Sequence, residues 1–127
     1  MQTPAQQPPA FTTFDAPSAG TGANQGTGAR GINTAGTIAG NYTDASSVVH
    51  GFVRAADGTM TSFDGPGSSD TFVTGINAVG AITGYYQSLQ GVGGAPVFYS
   101  FVRAADGISL PSRLRERALD LAREHRP

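Results

Sequence analysis

The sequence predicts an all-β fold of two four-stranded antiparallel units in tandem, closed by a short C-terminal α-helix. Three observations predict it. Motifs recur at a spacing of about fifty residues, short runs alternate β-branched or aromatic residues with small or polar ones, and these runs end at Gly-containing breaks. Composition agrees, because only 13% of the 127 residues are charged while 18 are Gly. Such a chain has many turns and a thin core.

The recurrence is visible motif by motif. Phe14-Asp15-Ala16-Pro17 returns as Phe63-Asp64-Gly65-Pro66, 49 residues on. Gly31-Ile32-Asn33 with Gly36, Ile38 and Gly40 returns as Gly75-Ile76-Asn77 with Gly80, Ile82 and Gly84, 44 residues on. Phe52-Val53-Arg54-Ala55-Ala56-Asp57-Gly58 returns as Phe101-Val102-Arg103-Ala104-Ala105-Asp106-Gly107, again 49 on. The changes of offset fall in a Gly-rich stretch and in the loop Gln87 to Pro96, between motifs and not inside them, as loops between structural repeats allow. The chain accordingly divides into an N-terminal segment, 1–10, expected to be disordered, a β domain over 11–110, and a tail over 111–127. Within the β domain, repeat one covers about 11–58 and repeat two about 59–107.

In repeat order, strands are predicted near Arg30 to Asn33, Thr37 to Thr43, Val48 to Arg54 and Thr59 to Asp64, then Phe72 to Asn77, Ala81 to Gln87, Val97 to Arg103, with a stub at Ile108 to Leu110. Asn33 to Gly36 and Asn77 to Gly80 are predicted tight turns, since an Asn side chain bonds the backbone two residues on and Gly accepts positive φ. Asp57-Gly58 and Asp106-Gly107 are hairpin signals. A four-stranded antiparallel unit at this spacing is how a β-propeller blade reads in sequence. Propellers usually have at least four blades and this chain supplies about two, so either it forms a homo-oligomer through exposed blade edges, or it is a remnant of a longer array, or the sheets pack on each other as a small open sandwich. Beyond Pro111 the pattern becomes helical: Leu110, Leu114, Ala118, Leu121 and Ala122 form one apolar stripe among Arg and Glu residues, with Ser112 as N-cap.

The functional classes narrow from the same residues. A net charge of -1 gives no field for nucleic acid or an anionic membrane, and the repeats carry no basic stripe. Met1 to Ala10 has neither the basic start nor the apolar run of a signal peptide or anchor. Without Cys there are no disulfides, thiolate metal sites or cysteine nucleophiles. His50 is the one histidine of the repeats and lacks further ligands at metal spacing; His125 sits in the charged tail. Ser46, His50 and Asp44 spell a formal catalytic triad on one short segment, without a nucleophile elbow. Asp15, Asp57, Asp64 and Asp106 recur at matched positions but lack the alternating oxygen ligands of a calcium loop, and read as turn formers. Gly20 to Gly31 resembles a phosphate cradle only in its glycines and is expected to be a flexible loop. Asn41-Tyr42-Thr43 is a glycosylation sequon falling in a strand. Tyr42, Tyr85, Tyr86 and Tyr99 form either core or, facing outward, a sugar- or peptide-binding surface. No catalytic, cofactor-binding or metal-binding residue is assigned.

Taken together, Gly-Ile-Asn-x-x-Gly-x-Ile-x-Gly-x-Tyr (Gly31 to Tyr42), His50-Gly51-Phe52-Val53-Arg54 and the Asp57-Gly58 to Pro66 stretch with its Phe63-Asp64 resemble the bacterial HAF-type extracellular repeats. The resemblance covers Phe11 to Gly107, with Tyr99-Ser100 standing in repeat two where repeat one has His50-Gly51. It implies a propeller-like array, usually exported, with no cofactor and no catalytic activity. The expected function is therefore a non-enzymatic binding or scaffolding module. The alternatives are a fragment of a carbohydrate- or polymer-active propeller protein and a truncated relic.

Overall fold

A computed structural model describes residues 10–107 and 109–111. The fold is all-β: two four-stranded antiparallel sheets, each a simple meander. Sheet 1 contains β1 (Gly26–Ile32), β2 (Ile38–Thr43), β3 (Val49–Arg54) and β4 (Met60–Phe63). Sheet 2 contains β5 (Asp70–Ile76), β6 (Ile82–Ser88), β7 (Val97–Arg103) and the short β8 (Ser109–Pro111), and a single 3₁₀ turn, Val92–Gly94, interrupts the β6–β7 loop. The disordered segment expected over 1–10 and the helix expected beyond Pro111 lie outside the described residues, apart from an exposed Ala10.

The strands follow the alternation read in the sequence, with one correction. The stretch Gly20 to Gly31 is not a loop throughout, because β1 starts at Gly26 and pairs along β2 from Gly26 opposite Thr43 to Ile32 opposite Ile38. Glycines leave no alternation to read, and the pairing rests on backbone hydrogen bonds alone. The two sheets share registers to the residue. Each first strand carries a bulge, between Ala29 and Gly31 in β1 and between Val73 and Gly75 in β5, which turns Arg30 and Thr74 out of step with their neighbours. The break between sheets falls between Phe63 and Asp70, not near residue 58, because Met60–Phe63 pairs with β3.

The predicted turns form as their chemistry requires. Asn33 accepts from the N–H groups of Ala35 and Thr37, Asn77 from those of Val79 and Ala81, and Gly36 and Gly80 take the positive φ of 85° and 88°. A further turn, Asp44 to Val48, uses Asp44 in the same way and puts Ser47 at a φ of 64°.

Each strand sends alternate side chains to two faces, here termed front and back. The front of sheet 1 packs on the back of sheet 2, where Ala39 joins Val73, Ile82, Tyr86 and Phe101 in one core, with Val53, Phe63, Ile76 and Tyr99 at its margin. The back of sheet 1 is covered instead by the segment around Phe14 to Ala19, which packs on Tyr42 and Phe52. The same device serves both sheets: Phe14 meets Phe52 edge-on and lies under the Arg54 guanidinium, while Phe63 meets Phe101 edge-on and lies under Arg103, with both cations 4.9 Å from the ring centroid. Likewise Thr27 Oγ1 accepts from Ala16 N–H and Thr71 Oγ1 from Gly65 N–H, each at 3.0 Å.

Close approach of the layers demands missing side chains. A Cβ on Gly84 would meet the Phe72 carbonyl and the Phe101 ring, whereas one on Gly75 would find only Thr83 Oγ1, at 3.7 Å. The Gly84→Ala variant is therefore expected to lose about 2 kcal/mol or more from overpacking, and Gly75→Ala to be neutral or slightly stabilising, both measured by urea denaturation. Across the layers Asn41 Oδ1 accepts from the buried Val73 N–H at 2.6 Å. Asn41→Ala leaves that donor unpaired and is expected to cost about 1–3 kcal/mol in the same measurement.

Candidate functional site

Among the described residues, a cluster of ionisable groups built by several elements lies on the back of sheet 1. His50 is in β3 and stacks on Tyr42 of β2, with ring centroids 4.9 Å apart. Its Nε2 lies 2.8 Å from Asp44 Oδ2 in the β2–β3 turn, and its Nδ1 lies 2.7 Å from Asp64 Oδ1 just past β4. A neutral imidazole has one N–H, so it can donate to only one of these carboxylates; the imidazolium donates to both. Burial opposes protonation of His50, whose side chain is 19% exposed, but the hydrogen bonds to Asp44 and Asp64 and the charge of both carboxylates outweigh it and raise its pKa. Asp44 is held below the ordinary carboxylate range, first by the His50 hydrogen bond and then by the Val48 and Ser46 N–H groups.

This geometry answers the formal triad. Both ring nitrogens of His50 are engaged by carboxylates, so none is free to take a proton from Ser46, whose own backbone N–H donates to Asp44 Oδ1. The recurring aspartates stay apart: Asp57 closes its hairpin on Thr59 N–H, Asp64 goes to His50, and among the described residues no three His, Asp or Glu side chains converge as a metal site. His125 lies outside the described residues. The sequon residue Asn41 is 8% exposed and committed to Val73. Asp70, which the sequence did not single out, ties the sheets by accepting from Val49 N–H at 2.9 Å.

The tyrosines separate by face. Tyr42 and Tyr86 are buried and Tyr99 packs at the core margin, so these three are structural. Tyr85 points outward from the front of sheet 2, where it stacks on Phe72 at 4.9 Å and meets Phe98 edge-on at 6.1 Å. Tyr85 is 39% and Phe98 58% exposed, giving an aromatic row across three adjacent strands. Polar neighbours on this face are Thr74 and Thr83, hydrogen-bonded at 3.1 Å, with Gln87, Ser100 and, at the start of β5, Asp70. Periodicity alone did not reveal the row, because strand alternation gives two faces without saying which is covered.

Two clefts adjoin this face. One of about 300 Å³ runs beside the sheet junction, with Gln25, Arg30, Asn41 and Phe72 in its wall. Another of about 290 Å³ lies at the turn end of sheet 2, between Gly75, Ile76, Thr83 and Val102. Among the described residues no helix is long and apolar enough to cross a membrane. Comparison with family models, with curated proteins and with solved structures finds no match.

The His50 cluster has a pH signature. A raised histidine pKa stabilises the fold fully below the unfolded value and loses that contribution as pH rises through the folded one; the lowered Asp44 pKa stabilises above its unfolded value and loses its contribution as pH falls through the folded one. The melting temperature is thus expected to be highest between the carboxylate range and the ordinary histidine range, roughly pH 4 to 6.5, and to fall on both sides. In His50→Gln the alkaline decline should disappear from a series of thermal melts across pH.

Proposed function

We propose that the protein is a non-catalytic binding and scaffolding module, made of two consecutive propeller-like blades of the exported HAF type, that works through the front of sheet 2. One observation carries the reading: the aromatic row Phe72, Tyr85 and Phe98 stands on a face whose counterpart in sheet 1 packs against another sheet through Ala39, Val53 and Phe63. Contiguous exposed apolar surface on a sheet marks an interaction site. Two features support a role without catalysis. The histidine is locked between carboxylates, and the cleft beside the sheet junction has amides and an arginine in its wall, without a carboxylate or imidazole to move a proton.

The experiment immobilises the full chain and passes over it the soluble chain itself, a β-linked oligosaccharide, and an extended peptide of alternating apolar residues. At least one of these is expected to bind, and Tyr85→Ser and Phe98→Ser each to weaken that binding about tenfold or more, as loss of an aromatic anchor does, with unchanged circular dichroism. Binding to none of the three, or binding indifferent to both substitutions, overturns the reading.

A further inference from the structure

We infer that the chain stacks head to tail on a second copy of itself, Ile32 of one copy seating between Gly75, Thr83 and Val102 of the other. The inference rests on the front of sheet 2 being a binding face, and it names the partner of that face.

The pattern for the contact lies within the chain. Ile76, on the back of sheet 2, packs into the core with Ala39 and Val53 of sheet 1, and its Cγ2 lies 3.3 Å from where a Cβ on Gly31 would stand. Gly31, Ala39 and Val53 thus form a seat for Ile76 on the front of sheet 1. In the shared registers the matching residues on the front of sheet 2 are Gly75, Thr83 and Val102, and there no side chain among the described residues fills the seat, a cleft of about 290 Å³ with Asn77 and Ala81 at its rim. The residue matching Ile76 is Ile32, on the back of sheet 1, and it is 66% exposed. One molecule therefore carries an unfilled seat on one sheet and an unseated side chain of the fitting shape on the other.

Two other pairs agree. Asn33 Nδ2 donates to the Asn77 carbonyl at 3.2 Å, turn stacked on turn, and in the proposed stack the Asn77 amide meets the Asn33 turn of the second copy. Asn41 sits over Val73, as their 2.6 Å hydrogen bond shows; the residues brought together at the matching place between copies are Tyr85 and Ala29. A larger side chain on the front is met by a smaller, exposed one on the back, so the sum of sizes is kept.

Ring geometry favours a facing sheet over a sugar. A pyranose lies on a flat aromatic face, but Phe72 and Tyr85 are stacked with only 24° between their planes and so turn their faces to each other. Rings whose faces are taken up by each other interdigitate with side chains of a second sheet, as the two inner faces of a sandwich do. Because the contact joins different patches on the two copies, it is heterologous. It closes into a ring if the rotation between sheets divides a full turn, and otherwise extends as a filament.

Sedimentation velocity of the full chain over a concentration series tests this. The wild-type sedimentation coefficient is expected to rise with concentration, and Ile32→Glu and Thr83→Arg, both at exposed positions, each to sediment as a monomer with unchanged circular dichroism and melting temperature. A mixture of the two variants is expected to associate again, because the first keeps an intact seat and the second an intact Ile32. A wild-type chain monomeric throughout overturns the inference, as does association that survives both substitutions or variants that fail to complement. Should the wild-type chain stay monomeric while Tyr85→Ser still abolishes capture of the oligosaccharide or the peptide, the binding face stands and its partner is not a second copy.

Discussion

Everything in this molecule depends on the front of sheet 1 lying directly on the back of sheet 2. Sheet 2 has no core apart from this contact and sheet 1 only the small cluster that its back makes with Phe14 and Ala16, and a single meander in water is at best marginal. Stacking buries Ala39, Val73, Ile82, Tyr86 and Phe101 together. A large apolar side chain such as Ile82 or Phe101 gains roughly 1.5–3 kcal/mol from leaving water, so the interface is where the stability of the pair resides. Its thinness explains the glycines. Gly40 and Gly84 sit where a Cβ would run into the ring of Phe52 or Phe101, which means the aromatic residues lie across the backbone itself. A chain this rich in Gly reaches ordinary packing density by letting rings cover main chain.

Stacking of this kind leaves polar backbone at the interface, and the bulges are where it must be answered. The bulge in β5 follows Val73, and Asn41 reaches across from sheet 1 to accept the Val73 N–H. Asp70 takes the N–H of Val49 in the other direction, and Asn33 bonds the Asn77 turn. Hydrophobic contact between two pleated surfaces tolerates sliding, but these three bonds fix the sheets in one relative position, since a shift by one residue would bury unpaired donors. The His50 cluster acts on a different length scale. It joins the β2–β3 turn to the segment leaving β4, both within reach of sheet 1, and so fixes the exit of the chain toward sheet 2.

What the sequence disclosed follows from which interactions are local. Turns are legible because an Asn or Asp bonding its own backbone and a Gly at positive φ are decided within five residues. Strand existence is legible wherever side chains alternate, as in Val49–Arg54 and Val97–Arg103, and only at the end of Gly26–Ile32, near Arg30 to Asn33, because three of its seven residues have no side chain. The partner of His50 in Asp64 is invisible for a different reason: the two are separated by a whole hairpin and meet only because β3 and β4 pair in one register. Which face of each sheet is covered is likewise a property of layers. Tyr42 and Tyr85, which stand next to each other in a motif alignment, end up on opposite faces, one buried and one exposed.

The two sheets agree on their covered backs and diverge on their fronts. Positions on the two backs keep their type, one back covered by the Phe14 to Ala19 segment and the other by sheet 1: Ile38 and Ile82, Phe52 and Phe101, Arg54 and Arg103, Thr27 and Thr71. On the front, the places of Gly28, Asn41 and Val49 in sheet 1 are taken in sheet 2 by Phe72, Tyr85 and Phe98, so three of the changes add an aromatic ring. Were the front of sheet 2 simply surface, the same backbone would be served equally well by the small and polar residues that sheet 1 places there, and exposed rings would bring only a tendency to aggregate. Rings added together on three neighbouring strands, around a seat that no side chain among the described residues fills and shaped like one the molecule already fills, describe a surface made to be covered.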